Sequence, residues 1–350
     1  MGLQFKELVV KKEISISDLK GKVLAVDAMN MLYQFLTTIR GPDGSPLTDK
    51  NGQVTSHLIG LFSRTTSLME SGLKLVFVFD GKAPELKQKT WEKRTAIKQD
   101  AALRVEEAKE MGDVEGMKKF AGRTAVLTRE MREEAQKLIR ALGLPIVQAP
   151  SEGEAQTAYM VKRGRAYASI SQDYDNLIFG CPTLIRNLSI EGKRKKAGKL
   201  GFVVVKPEVI LLKDVLEHLK LTQDQLITLA ILVGTDYNPG GVKGIGPKTG
   251  LKLVRDETNL PGLFDKVEWA KHFPELSWQE IYDTIKHIPV TDEYTLEWKS
   301  VDEKELYHLL VDSHDFSADR VKSKIEKLKE VNKSAGQKGL SAFMTKDTNN

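Results

Sequence analysis

Residues 144–180 read LPIVQAPSEGEAQTAYMVKRGRAYASISQDYDNLIFG, and they decide the fold. Two tight carboxylate pairs, Glu152 with Glu154 and Asp173 with Asp175, each follow a short apolar run, at 145–147 and 166–170. Apolar runs between turn signals read as buried strands. Residues 154–163 between them have helical composition and end at Gly164. Strand, helix and strand in this order predict a parallel sheet with a right-handed crossover. Both pairs then fall beyond the carboxyl ends of neighbouring strands, where open α/β sheets bind ligands. Gathered like charges repel strongly in a low-dielectric cleft. A hard divalent cation with oxygen ligands is the natural way to offset them.

The same signature recurs upstream. Residues 22–36, KVLAVDAMNMLYQFL, open with an apolar run that ends at Asp27. Residues 73–79, LKLVFVF, form another, followed at once by Asp80. A single strand-end Asp is ordinarily a turn or cap residue. Repetition at four strand ends points to a shared site. Between these runs, residues 41–56 are turn-rich and read as an exposed loop, and 57–70 read as a helix.

Residues 82–134 have a different character, with dense charge and few β-branched residues. Within 82–98 stand six basic residues, Lys82, Lys87, Lys89, Lys93, Arg94 and Lys98, against Glu85 and Glu92. Lys87 and Arg94 are seven apart, hence on one helix face, and the segment emerges beside the acidic cleft. Residues 193–199, KRKKAGK, read as a basic hairpin or loop. Residues 209–219 and 226–233 read as apolar helices, the second with a capping box from Thr222 to Gln225. Asp236 follows as a seventh candidate ligand. The turn at Gly244, Ile245 and Gly246, flanked by Lys243 and Lys248, lies between two helices. Backbone N–H groups there, with the next helix's dipole, suit a phosphate backbone. Residues 257–331 are expected to be a small helical region, with capping boxes at Ser277/Glu280 and Ser300/Glu303. A linker-like tail follows.

Composition narrows the class. The 350 residues carry a formal net charge of +5 and are long enough for a sizeable core. A single Cys181 excludes an internal disulfide and fits a reducing compartment. No run approaches the roughly 18 apolar residues of a membrane span, and the start lacks a signal-peptide core. The expectation is an intracellular, cytoplasmic protein, or a nuclear one in a eukaryote. There is no P-loop, so a nucleoside triphosphate is not the indicated substrate. His57, His218, His272, His287, His308 and His314 show no zinc spacing and read as structural or surface groups. Seven strand-end and loop carboxylates under basic side chains indicate hydrolysis of a nucleic-acid phosphodiester with two divalent cations.

These motifs together resemble the flap endonuclease family of structure-specific 5′ nucleases, in its compact archaeal form. They are MGLQFKEL, VLAVDAMNMLYQFL, VFVFDGKAPELK, APSEGEAQTAYM, SQDYDNLIFG and LVGTDYNPGGVKGIGPK, in family order over residues 1–255. The resemblance implies an α/β fold: a mostly parallel central sheet with helices on both faces, a helical arch and a helix-hairpin-helix. It implies a nuclease core at 1–255, with the arch at about 82–134 and the helix-hairpin-helix at about 226–255. A helical region at 256–331 packs on the core, and 332–350 is a flexible tail. The implied metal acids are Asp27, Asp80, Glu152, Glu154, Asp173, Asp175 and Asp236. Lys87 and Arg94 match the arch residues that act on the scissile phosphate, and Tyr33 an aromatic that stacks on a nucleotide. Lys243, Gly244, Gly246 and Lys248 match the duplex-binding hairpin, where the family often holds K⁺. Gly250 departs from a common Ala, at about 1 kcal/mol of helix propensity.

The implied cofactor is Mg²⁺, two per site, with Mn²⁺ as a substitute. The implied partners are 5′-flap DNA and the replication sliding clamp, the enzyme otherwise being a monomer. Gln337, Leu340, Phe343 and Met344 resemble the clamp-binding peptide, Met344 standing where a second aromatic is usual. Two alternatives remain open at this point. One is a bubble-cutting repair nuclease of the same superfamily, disfavoured by the short intervals between motifs. The other is a noncatalytic junction- and clamp-binding protein, disfavoured by the seven acids.

Overall fold

The computed structural model describes residues 3–344 apart from 112, 114, 117–119, 121–123, 191, 196–201 and 258. The side chains of 88, 89, 91, 93, 94, 190, 193–195, 202, 203 and 332–344 also lie outside the described set.

The apolar runs form a seven-stranded sheet. Its strands are β1 (Lys12–Glu13), β2 (Val23–Asp27), β3 (Lys74–Phe79), β4 (Ile146–Gln148), β5 (Ala168–Ile170), β6 (Thr183–Arg186) and β9 (Glu208–Leu211). The order is β1-β9-β6-β5-β2-β3-β4. The four central pairings, β6·β5, β5·β2, β2·β3 and β3·β4, are parallel, while β9 runs antiparallel to β6 and β1. A separate antiparallel hairpin pairs β7 (Gly192–Lys195) with β8 (Phe202–Val205), bearing out the hairpin reading of the basic stretch. Its connection, 196–201, lies outside the described residues.

The central strands are apolar on both faces because both faces are covered. Leu24, Val26, Leu75 and Phe77 join one core with α1 (Ala28–Thr38), α2 (Ser56–Glu70) and α4 (Arg129–Ala141). The alternate residues Ala25, Val76 and Val78 face Ala158 and Met160 of α5 (Gly153–Lys162). A third core gathers Leu184 and Ile210 of the sheet with α7 (Leu212–Leu219), α8 (Gln223–Val233) and α9 (Pro247–Asp256).

After β3 the chain makes a 3₁₀ turn, Glu85–Lys87, and then α3 (Gln88–Glu110), on which Leu103 is exposed while Thr90, Ala101 and Ala108 are buried. Beyond α9, short helices α10 (Leu260–Lys266), α11 (Trp269–His272) and α12 (Trp278–Lys286) pack around stacked Phe264 and Trp278. Residues 287–302 then cross the core as an irregular strap. Trp298 Nε1 donates to Leu75 O at 2.9 Å, the Lys299 N–H to Gly143 O at 2.8 Å, and the Gln156 amide pairs with both backbone groups of Thr291.

Several expectations need correction. The strands β4 and β5 are parallel but not neighbours, since β3 and β2 lie between them. Residues 208–211 are an edge-pairing strand, and the helix begins only at Leu212. The Thr222–Gln225 capping box is present. Ser277 instead caps through the Gln279 N–H, and Asp302, not Ser300, caps α13 (Glu303–Leu306). The loop at 41–56 carries bridges Arg40↔Pro46 and Thr48↔Val54, and Asp49 meets His314 Nδ1 at 3.0 Å. It is therefore anchored rather than free. The last helix, α14 (Ala318–Met344), runs through the linker-like stretch. No Pro interrupts it, and Gly336 and Gly339 alone cost only about 1 kcal/mol each. Among the described residues no helix is long and apolar enough to cross a membrane.

Candidate active site

The strand order explains why the acids meet. The four acid-bearing strands stand side by side as β5-β2-β3-β4, all parallel. Their carboxyl ends release Asp173 and Asp175, Asp27, Asp80, and Glu152 and Glu154 along one edge. The chain order reverses at β2, the kind of switch point where such sheets bind ligands.

Each acid is placed by a local device. Asp27 ends β2 and caps α1, its Oδ1 accepting the Asn30 N–H at 3.0 Å. Asp80 Oδ1 accepts the Gly153 N–H at 2.7 Å. A Cβ on residue 153 would stand 2.6 Å from that oxygen, so the glycine between Glu152 and Glu154 is required by the approach of Asp80. The Ser171 hydroxyl lies 3.4 Å from both Asp27 Oδ2 and Glu154 Oε1. Asp175 Oδ1 accepts the Leu3 N–H at 2.9 Å, which brings the N-terminal segment to the site. Asp236 arrives from the loop after α8, and its carbonyl accepts the Thr90 hydroxyl.

Electrostatics mark the cluster as strained by its own charge. Burial, then the Asp80 charge, pushes the pKa of Asp27 up to about 8. Burial, then Asp173 and Asp236, pushes Asp175 up to about 7. Burial followed by Asp175 and Asp27 raises Glu154 well above the usual range, and burial raises Glu152 despite Lys87. Among the described residues, Lys87 pairs with two of these acids. Its ammonium lies 2.5 Å from Glu152 Oε2 and 3.3 Å from Asp236 Oδ2. Burial opposes its charge, but Glu152 and Asp236 outweigh that and hold its pKa above the ordinary lysine value.

The residues fit a pair of hard cations. Every candidate ligand is a carboxylate, and Glu152 Oε1 is buried without a hydrogen-bond partner. Among the described residues no three acids stand in a finished ligand cage, and the Lys87 ammonium lies against Glu152 and Asp236.

Beyond the acids, Tyr33 is exposed on α1, with the Lys98 ammonium of α3 5.3 Å from its ring centroid. The Arg94 side chain lies outside the described residues. Lys243, Gly244 and Gly246 are exposed in the turn before α9 and Lys248 in the helix's first turn; Gly244 has φ +86° and Gly246 is the N-cap. Lys248 stands 3.6 Å from Glu7. Gly250 has a packing reason: a Cβ there would stand 2.9 Å from Leu229 Cδ1 of α8. The side chains of Gln337, Leu340, Phe343 and Met344 lie outside the described set.

Known proteins agree with this architecture. Residues 3–101 match the XPG N-terminal domain and 143–236 the XPG I-region. The chain is 48% identical to Flap endonuclease 1 of Pyrococcus abyssi, over 99% of each chain. The Flap endonuclease 1 of Pyrococcus horikoshii is 49% identical over the same shares. The chain belongs to the flap endonuclease 1 family. The solved flap endonuclease-1 from Methanococcus jannaschii superposes with a TM-score of 0.73 at 44% identity, covering 94% of this chain and 98% of that one. The catalytic core of Rad2 with its DNA substrate shares the fold at a TM-score of 0.67 and 23% identity, over 94% and 100%.

Sequence reasoning found the acids but missed what aligns them. Asn30 and Arg186 both hold the 171–175 loop: Asn30 Nδ2 donates to Asp173 Oδ2 at 2.8 Å, and Arg186 Nε to Gln172 O at 2.9 Å. The six histidines are structural or surface groups, as read. His57 and His314 are buried around Glu134, and the other four are exposed.

Proposed function

We propose that this chain is a structure-specific 5′ flap endonuclease, with 5′–3′ exonuclease activity, serving replication and repair. The reading is carried by one observation: four adjacent parallel strands deliver their terminal acids to a single cleft overlooked by the base of α3. It hydrolyses a DNA phosphodiester near the junction of duplex and 5′ flap, leaving 5′-phosphate and 3′-hydroxyl ends.

Asp27, Asp80, Glu152 and Glu154 would hold one divalent cation, and Asp173, Asp175 and Asp236 the other, with Mg²⁺ favoured and Mn²⁺ able to substitute. Such a pair supplies an activated water and charge neutralisation at the attacking and leaving oxygens. The chain's own groups do the rest. Lys87, already inside the cleft, would leave the carboxylates for the phosphate and neutralise charge that grows in the transition state, together with Arg94. Tyr33 offers a ring to a nucleotide at the junction. The Gly244–Gly246 turn, Lys243 and Lys248 grip the duplex backbone without reading bases, around K⁺ in the family manner. Unpaired 5′ DNA passes the arch at 82–134, so selection is by shape. Residues 337–344 dock the sliding clamp.

The test is cleavage of labelled 5′-flap, blunt duplex and single-stranded DNA, each with Mg²⁺ or EDTA. Metal-dependent cutting that is strongest at the flap junction, with weaker removal of nucleotides from the duplex 5′ end, supports the proposal. Equal cutting of all three, or cutting in EDTA, overturns it.

A further inference from the structure

The two groups of acids come from different parts of the chain, and one residue bonds to both, by its backbone to one and by its side chain to the other. Asn30 sits in the first turn of α1, three residues after Asp27. Its backbone N–H donates to Asp27 Oδ1 at 3.0 Å. Its side-chain Nδ2 donates to Asp173 Oδ2 at 2.8 Å, and its Oδ1 accepts the Gln172 N–H at 3.1 Å. The orientation of the amide follows from the partners: a backbone N–H can only donate, so the oxygen faces Gln172 and the NH₂ faces the carboxylate.

We infer that Asn30 is a positioning residue that sets the Asp173 carboxylate relative to Asp27, and thereby the relation between the two cation positions. The inference rests on the metal-nuclease reading above. Three features support a role in alignment beyond general folding. The bond to Asp173 ties one carboxylate oxygen, fixing how the other is presented; such hydrogen bonds behind ligands tune affinity as the ligands do. The amide dipole places partial positive charge beside carboxylates that repel one another. The loop itself has other anchors. Arg186 Nε donates to Gln172 O at 2.9 Å, and the guanidinium lies 4.1 Å from the Tyr174 ring centroid. The Asp173 N–H also donates to Ser171 Oγ at 3.2 Å. Removing the amide therefore frees a carboxylate while leaving its loop attached.

The test is Asn30→Leu, close in volume but without donor or acceptor. Binding of Mn²⁺ to the DNA-free protein is counted by electron paramagnetic resonance, beside flap affinity in EDTA. The expected result is that one of two Mn²⁺ binds about 10–100-fold more weakly. Flap affinity in EDTA stays within about twofold, and cleavage returns as Mn²⁺ is raised. Superimposable Mn²⁺ isotherms for the variant and the parent overturn the inference, as does lost cleavage that no metal concentration restores. A parent protein that binds no Mn²⁺ would instead overturn the metal reading itself. Asn30→Ala, read by the same isotherm, takes the place of leucine if that variant fails to fold.

Discussion

Adding a divalent cation should expel protons from this protein, and the amount can be worked from the cluster. With Asp27 at about 8 and Asp175 at about 7, these two acids alone hold between one and two protons at pH 7. Glu154 is raised as well. Cations need the ionised carboxylates, so binding must release those protons. Affinity should then rise about 10- to 100-fold per pH unit near neutrality. The effect on stability has the opposite sense. These carboxyls have folded pKa values above their unfolded ones, so their contribution is complete below about pH 4 and is lost as pH rises through about 7–8. The metal-free protein should therefore lose melting temperature between pH 6 and 9, and saturating Mg²⁺ should flatten that slope. Titration calorimetry with Mg²⁺ in buffers of different ionisation enthalpy counts the protons directly. Zero proton release at pH 7, with affinity flat from pH 6.5 to 7.5, would refute the view that crowded, protonated carboxylates await the cations.

Lys87→Ala should slow the saturated single-turnover rate by about 10²–10³-fold while weakening flap binding little, because its charge matters most in the transition state. Rapid-quench kinetics check this, and an unchanged saturated rate with weakened binding would reduce Lys87 to an ordinary phosphate contact. Lys243→Ala with Lys248→Ala should weaken binding to every duplex sequence. The slope of log affinity against log salt should become shallower by about 0.9 per lost phosphate contact; a loss confined to one sequence would mark a base reader. Deleting 337–350 should abolish stimulation by a sliding clamp and leave clamp-free cleavage unchanged, as measured by paired time courses.

Six of the seven acids were legible because they follow four short apolar runs, and the recurrence of run-then-acid favours strands, whereas Asp236 follows the apolar helix α8. Their adjacency was less so. Residues 144–180 show that β4 and β5 are parallel, but nothing local tells how many strands α5 crosses before the chain re-enters the sheet. The run at 208–211 misled because a short apolar stretch fits helix and strand alike, and only its pairing with β6 and β1 decides. The strap at 287–302 has no periodicity to read; its order comes from contacts such as Trp298 to Leu75, far apart in sequence. Asn30 and Arg186 were invisible for the same reason. Their chemistry lies in hydrogen bonds to a loop whose position only the folded sheet defines.

The central claim is that the strand-end acids perform chemistry and do not hold DNA. The most direct measurement sets single-turnover cleavage of a 5′ flap by Asp173→Ala beside its flap affinity in Ca²⁺, with circular dichroism to establish folding. The prediction is a rate lower by about 10³-fold or more, since a cation is worth several kcal/mol of transition-state stabilisation, with affinity within about threefold of the parent. A folded variant in which affinity and rate fall together would contradict it, and would make these acids part of the scaffold.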